Sequence, residues 1–118
     1  MPYGYTGKIL RVDLTTGTIG VDEHDEYWYR TYMGGALYAA YYMLHETQPG
    51  VDPVGPDNMM IFANSPVVGA PAAGFNRMIV CARSPITGGF GEAQTGGFSG
   101  PELKFAGFDA VVVTGKAA

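Results

Sequence analysis

NRMIVCARSPITGGFGEAQTGGFSGPELK, running from Asn76 to Lys104, organises the rest of the chain. Arg77 to Ala82 reads as a core strand that ends at a second basic residue, Arg83. A glycine-rich run follows, with Gly88, Gly89, Gly91, Gly96, Gly97 and Gly100. Without side chains at those positions, backbone N–H groups can approach something large and polar, such as a phosphate or an organic cofactor. Arg77 and Arg83 are expected together at the near side of the run. Arg77 has two readings, a guanidinium fork on a phosphate or a surface arginine whose stem covers apolar ground.

Outward from this stretch, the other elements alternate around it. Ile9 to Leu14 has the period-2 pattern of a half-buried strand, Thr15-Thr16-Gly17 a turn, and Thr18 to Val21 a returning strand. Asp22 or Asp25 is placed to cap a short helix from Glu26 to Tyr32. Gly34-Gly35 separates it from the main helix, Gly35 to Glu46, where Leu37, Ala40, Tyr41 and Leu44 share a face. Gln48 to Asn58 is a proline-rich loop, Met59 to Ala63 a buried strand, Pro101 to Phe105 a short helix, and Ala110 to Thr114 the last strand. The expected fold is α+β, a mostly antiparallel sheet with one main helix and a Gly-rich loop.

Composition narrows the function. Charged residues make up 15 % of the chain against a usual value of about 25 %, so part of the surface is expected to be covered by other polypeptide. A net charge of −4 with seven scattered basic residues argues against a nucleic-acid surface. No apolar stretch reaches membrane-spanning length and no leader is recognisable, so no membrane partner is expected and the cytoplasm is the default. The single Cys81 supplies neither a disulfide nor a cluster ligand set and reads as a buried, inert thiol. His24 and His45 form no metal spacing, and Glu92 reads as a loop carboxylate. Gly88-Gly89-Phe90-Gly91 is not a dinucleotide fingerprint. The eight tyrosines build either an interface or the packing of the helix on its own sheet.

Several blocks together resemble one family. They are Tyr5-Thr6-Gly7-Lys8-Ile9-Leu10-Arg11-Val12-Asp13-Leu14, Gly50-Val51-Asp52-Pro53 with Gly55-Pro56, Arg83-Ser84-Pro85-Ile86-Thr87-Gly88-Gly89, Gly96-Gly97, and Gly100-Pro101-Glu102-Leu103-Lys104-Phe105-Ala106-Gly107-Phe108-Asp109-Ala110. In this order they are similar to the first part of the N-terminal domain of the tungsten-containing aldehyde ferredoxin oxidoreductases, over essentially residues 1–118. The resemblance implies a β-rich base for a tungsten bis-pterin cofactor in an enzyme that oxidises aldehydes to acids with ferredoxin as acceptor. It implies a 4Fe-4S cluster held by residues outside this chain. Arg77 matches an arginine between pterin and cluster. Gln94, usually Asn, matches a residue whose backbone carbonyl helps bind a magnesium bridging the pterin phosphates, with Thr95, Gly96 and Gly97 beside it. Ala36 departs from the family's Gly-Gly-Arg-Gly pattern.

The resemblance also implies that these 118 residues alone are inactive and bind no cofactor. Their expected partners are the remaining domains of the same enzyme or a partner subunit, and a homodimer is expected to cover the exposed faces. The alternative is a non-catalytic assembly module that keeps the fold without the cofactor.

Overall fold

The computed structural model describes residues 4–118; Met1 to Tyr3 lie outside it, Tyr3 of the eight tyrosines among them. In chain order the elements are β1 (Ile9–Asp13), β2 (Thr18–Asp22), α1 (Glu26–Tyr32), α2 (Ala36–Glu46), β3 (Met60–Ala63), β4 (Met78–Arg83), β5 (Phe90–Thr95), α3 (Ser99–Phe105) and β6 (Ala110–Thr114). The strands make one six-stranded sheet in the order β2-β1-β6-β3-β4-β5. β6 inserts between β1 and β3, parallel to the first and antiparallel to the second. The other neighbouring pairs are antiparallel, so the fold is α+β with a mostly antiparallel sheet.

Two expectations change. The fold is not built on one main helix: among the described residues three helices form, at the three helical segments read from the sequence. The glycine-rich run is not one loop either, because its middle, Phe90–Thr95, is a strand paired with β4. Pairing with the free edge of β4 outweighs the weak strand propensity of Gly91, whose missing side chain the partner requires: a Cβ there would lie 3.1 Å from the Ala82 carbonyl oxygen. The hairpin closes through Ser84 and Gly89, joined by a 2.8 Å bond, with Gly88 at φ +70°.

Helices α1 and α2 cover one face of the sheet. Ile9, Ile61, Ala63, Cys81, Ala110 and Val112 point into it and are buried. Against them pack Trp28, Tyr29, Tyr38, Ala39 and Tyr42. Trp28 is sandwiched between His24, 4.0 Å away, and Tyr38, 4.9 Å away. The tyrosines therefore serve mainly as core, with Tyr27 exposed. The stripe of Leu37, Ala40, Tyr41 and Leu44 is not the buried one; Leu37 and Leu44 face outward while Tyr38, Ala39 and Tyr42 face the sheet. In a helix apolar nearly all round, periodicity does not select the face, and the larger aromatic rings bury more area.

Asp25 caps α1 by accepting from the Trp28 backbone N–H at 2.8 Å. At the α1–α2 corner Gly34 has φ +124°, and a Cβ there would stand 2.5 Å from the Asn64 carbonyl oxygen. Only glycine lets this corner meet the end of β3. Asp109, fully buried, ties the termini together. Its carboxylate accepts from the Thr6 backbone and hydroxyl, the Gly7 N–H at 2.8 Å and Lys104 Nζ at 2.7 Å. Within the described residues, no helix is long and apolar enough to cross a membrane.

Candidate functional site: the corner at the end of the β4–β5 hairpin

Arg77 immediately precedes β4, and Met78 pairs with Thr95 at the end of β5. Antiparallel pairing therefore brings Arg77 beside Gln94, Thr95, Gly96 and Gly97, on the outer edge of the sheet. The sequence-expected group is gathered in one corner. Arg83 is not part of it. It lies at the other end of β4, about 20 Å along the strand, where its Nε donates to the Gly88 carbonyl at 3.0 Å. The extended strand separates what sequence proximity put together.

The corner is exposed and its polar groups are largely free. Arg77 donates from Nη1 to Gln94 Oε1 at 3.4 Å, and among the described residues this is its one hydrogen bond. Four of its five N–H groups remain for another acceptor. Gln94 in turn donates from Nε2 to Glu92 Oε1 at 3.0 Å. Neither Gly96 nor Gly97 donates a backbone hydrogen bond among the described residues. A Cβ built at either would meet nothing within 4 Å. A 390 Å³ hollow opens beside Gly97, between Phe98, Phe105 and the loop from Gly69 to Asn76. Free N–H donors, a free guanidinium and open ground beside the glycines fit an anionic group larger than a single ion.

The start of α2 borders the corner. Gly35 would place a Cβ 3.1 Å from Ile79 Cδ1, and Ile79 pairs with Gln94. Ala36 begins that helix and packs partly buried on the core.

Other candidates fall outside. Cys81 is buried, and burial, with a smaller contribution from Glu92, pushes its thiol up to about 11. It is a poor nucleophile and a poor ligand at neutral pH. His24 bonds Tyr42 Oη at 2.9 Å and His45 the Tyr41 carbonyl at 2.7 Å, and both rings pack against the Tyr41 ring. Among the described residues, no three His, Cys, Asp or Glu side chains gather as a metal centre. A 640 Å³ cleft lined by Arg11, Asp13, Glu46 and Asp52 lies over the ends of β1 and β6. Its cation is already taken, since Arg11 pairs with both Asp22 and Glu46.

With this geometry in place, comparison with known proteins decides the family. Residues 9–118 match the model of the aldehyde ferredoxin oxidoreductase N-terminal domain. The chain belongs to that family. It is 45 % identical over 115 residues to the tungsten-containing aldehyde ferredoxin oxidoreductase of Pyrococcus furiosus (strain ATCC 43587 / DSM 3638 / JCM 8422 / Vc1), covering 98 % of this chain and 19 % of that protein. It is 44 % identical, with the same coverage, to the enzyme of that name from Pyrococcus abyssi (strain GE5 / Orsay). Among solved structures it resembles a chain of the active site complex BamBC of benzoyl coenzyme A reductase, solved with 1,5-dienoyl-CoA. There the TM-score is 0.93 at 40 % identity, over 99 % of this chain and 18 % of that one. The chain thus spans about a fifth of the length of these aldehyde ferredoxin oxidoreductase relatives.

Arg77, Gln94, Thr95, Gly96 and Gly97 are expected through resemblance, and the fold places them together; Glu92 is expected only as a loop carboxylate and Asp109 has no expected role. Glu92 is a strand residue that holds Gln94, not a loop carboxylate. The signal available for it was period 2: Glu92 and Gln94 share a face only if the segment is a strand. Asp109 stood in the long block Gly100 to Ala110 without a role; in the aldehyde ferredoxin oxidoreductase domain it is the buried acceptor that joins that block to Thr6 and Gly7.

Proposed function

We propose that this domain is the base on which the pterin cofactor of a tungsten-dependent oxidoreductase sits, with the Arg77–Gly97 corner as its contact. The observation that carries this is the open ground at Gly96 and Gly97, flanked by free N–H groups and by a guanidinium with four free donors. Arg77 would form charge-assisted hydrogen bonds to the cofactor edge. The Gln94 backbone carbonyl would help hold the cofactor's magnesium, and Thr95 to Gly97 would allow the cofactor's close approach. The bound metal supplies the two-electron oxidation of an aldehyde to a carboxylic acid, with ferredoxin as electron acceptor; this chain's part is to seat and orient the cofactor. The 4Fe-4S cluster would be ligated elsewhere in the polypeptide, consistent with the single, buried Cys81. The setting is the cytoplasm, and the isolated 118 residues are inactive.

The sheet face opposite α1 and α2 is apolar, with Leu10, Val12, Phe62, Val80, Val111 and Val113 at the alternate positions of the central strands. Self-association of the isolated chain as a homodimer is proposed through this face. The functional reading is tested by metal and pterin analysis of the full gene product purified without oxygen. Tungsten and pterin in stoichiometric amount support it; a folded protein without either supports the assembly-module alternative.

A further inference from the structure

The corner contains a relay whose chemistry fixes its direction. Glu92 and Gln94 lie two residues apart on one face of β5, and Arg77 lies diagonally across, just before the neighbouring strand β4. Gln94 Nε2 donates to Glu92 Oε1 at 3.0 Å, and Gln94 Oε1 accepts from Arg77 Nη1 at 3.4 Å. A carboxylate only accepts and a guanidinium only donates. Glu92 therefore sets which way the Gln94 amide is turned, and the amide oxygen is left facing Arg77. A reversed amide would oppose NH₂ to guanidinium and oxygen to carboxylate. All three side chains are exposed, and among the described residues the Gln94 amide is the one hydrogen-bond partner of the Arg77 guanidinium.

We propose that Glu92 and Gln94 are positioning residues for Arg77: the carboxylate orients the amide, and the amide oxygen orients the guanidinium toward the anionic ligand. The inference rests on the reading of Arg77 as a ligand-facing arginine. It opposes the simple electrostatic expectation. A carboxylate beside an anion site repels the anion, so on charge alone its removal would strengthen binding. As a positioning group, its removal weakens binding.

The test uses the 118-residue chain and the variants Glu92→Ala, Glu92→Gln and Gln94→Leu. The order of the Arg77 Nε–Hε bond is read by ¹⁵N relaxation, with Arg30 as an internal reference. Backbone amide spectra confirm the fold, which these exposed positions should leave unchanged. Glu92→Ala and Gln94→Leu should lower the order of Arg77 and leave Arg30 unchanged. Glu92→Gln, which keeps an accepting oxygen without the charge, should retain it. In titrations with inorganic pyrophosphate, Glu92→Ala should bind about threefold more weakly than the native chain, the loss expected for one hydrogen bond. Unchanged Arg77 order in Glu92→Ala, or equal tightening of pyrophosphate binding by Glu92→Ala and Glu92→Gln, would overturn the proposal. Should pyrophosphate bind no variant, the relaxation result alone decides. Absence of pterin from the full gene product would overturn the functional reading and leave the relay to be judged by Arg77 order.

Discussion

Two sets of glycines in this domain look alike in sequence and differ in their surroundings. Gly34 and Gly100 are pressed against the chain itself. A Cβ at Gly34 would be 2.5 Å from the Asn64 carbonyl oxygen, and at Gly100 it would be 3.1 Å from Asn64 Oδ1 and 3.3 Å from Met78 Cβ. Gly96 and Gly97 are pressed against nothing within 4 Å among the described residues. The polar groups divide in the same way. Asp109 has its carboxylate filled by Thr6, Gly7 and Lys104, whereas Arg77 keeps most of its donors free. Among the described residues, the Asp109 carboxylate is filled from within the fold, whereas the Arg77 guanidinium is left with free donors beside open backbone.

The largest expected effect breaks the filled side of the comparison. Asp109→Ala removes the carboxylate partner of the half-buried Lys104 ammonium, which keeps only the Gly4 carbonyl, and leaves three further donors without their acceptor, and should cost about 3–5 kcal/mol in urea unfolding. Gly34→Ala combines a clash with backbone and a positive φ, and should cost at least about 3 kcal/mol. Loss below about 1 kcal/mol in either would remove the distinction between the two sets.

A smaller effect concerns the helical layer. Burial holds the His24 pKa below its ordinary 6.5, against the opposing pull of Asp22, Asp25 and Glu46. The unfolded chain then takes up a proton that the folded chain resists, so stability falls as pH drops through about 6.5. Denaturation at pH 5.5 and 7.5 should show this loss, and His24→Gln should reduce it; a native profile identical to that of the variant would contradict the burial account. Cys81, with its thiol raised to about 11, should resist a disulfide reagent at pH 8 in the native chain and react at once in denaturant. The smallest effect lies on the open side: Gly96→Ala should change stability by no more than about 0.5 kcal/mol.

Self-association sharpens the contrast from another direction. Light scattering at high concentration should find a dimer of the isolated chain, and Val111→Lys, on the apolar face away from the helices, should return it to a monomer. A native chain that stays monodisperse and monomeric would refute the homodimer.

Much of the fold was legible where local pattern and burial agree. Alternation marked β1, the apolar run marked β3, and the acidic start at Asp25 marked α1. β5 was hidden because Gly91 and the polar Glu92 and Gln94 carry little strand propensity; its existence depends on the edge of β4, a non-local partner. The buried face of α2 was hidden because apolar residues surround the helix. The candidate corner was legible only through resemblance, since Gly96 and Gly34 differ in what stands beside them, and that is decided by residues distant in sequence. Arg83 read as a companion of Arg77 although the strand expected between them already sets the two about 20 Å apart.

The most direct measurement compares cofactor content in three forms of the full gene product, purified anaerobically: native, Gly96→Val, and Gly20→Val. Gly20, in β2 at the opposite sheet edge, also has nothing within 4 Å of a built Cβ and serves as the control for an open glycine away from the corner. The account predicts tungsten and pterin in the native and Gly20→Val proteins and their loss from a folded Gly96→Val protein. Equal cofactor content in Gly96→Val and Gly20→Val would contradict it.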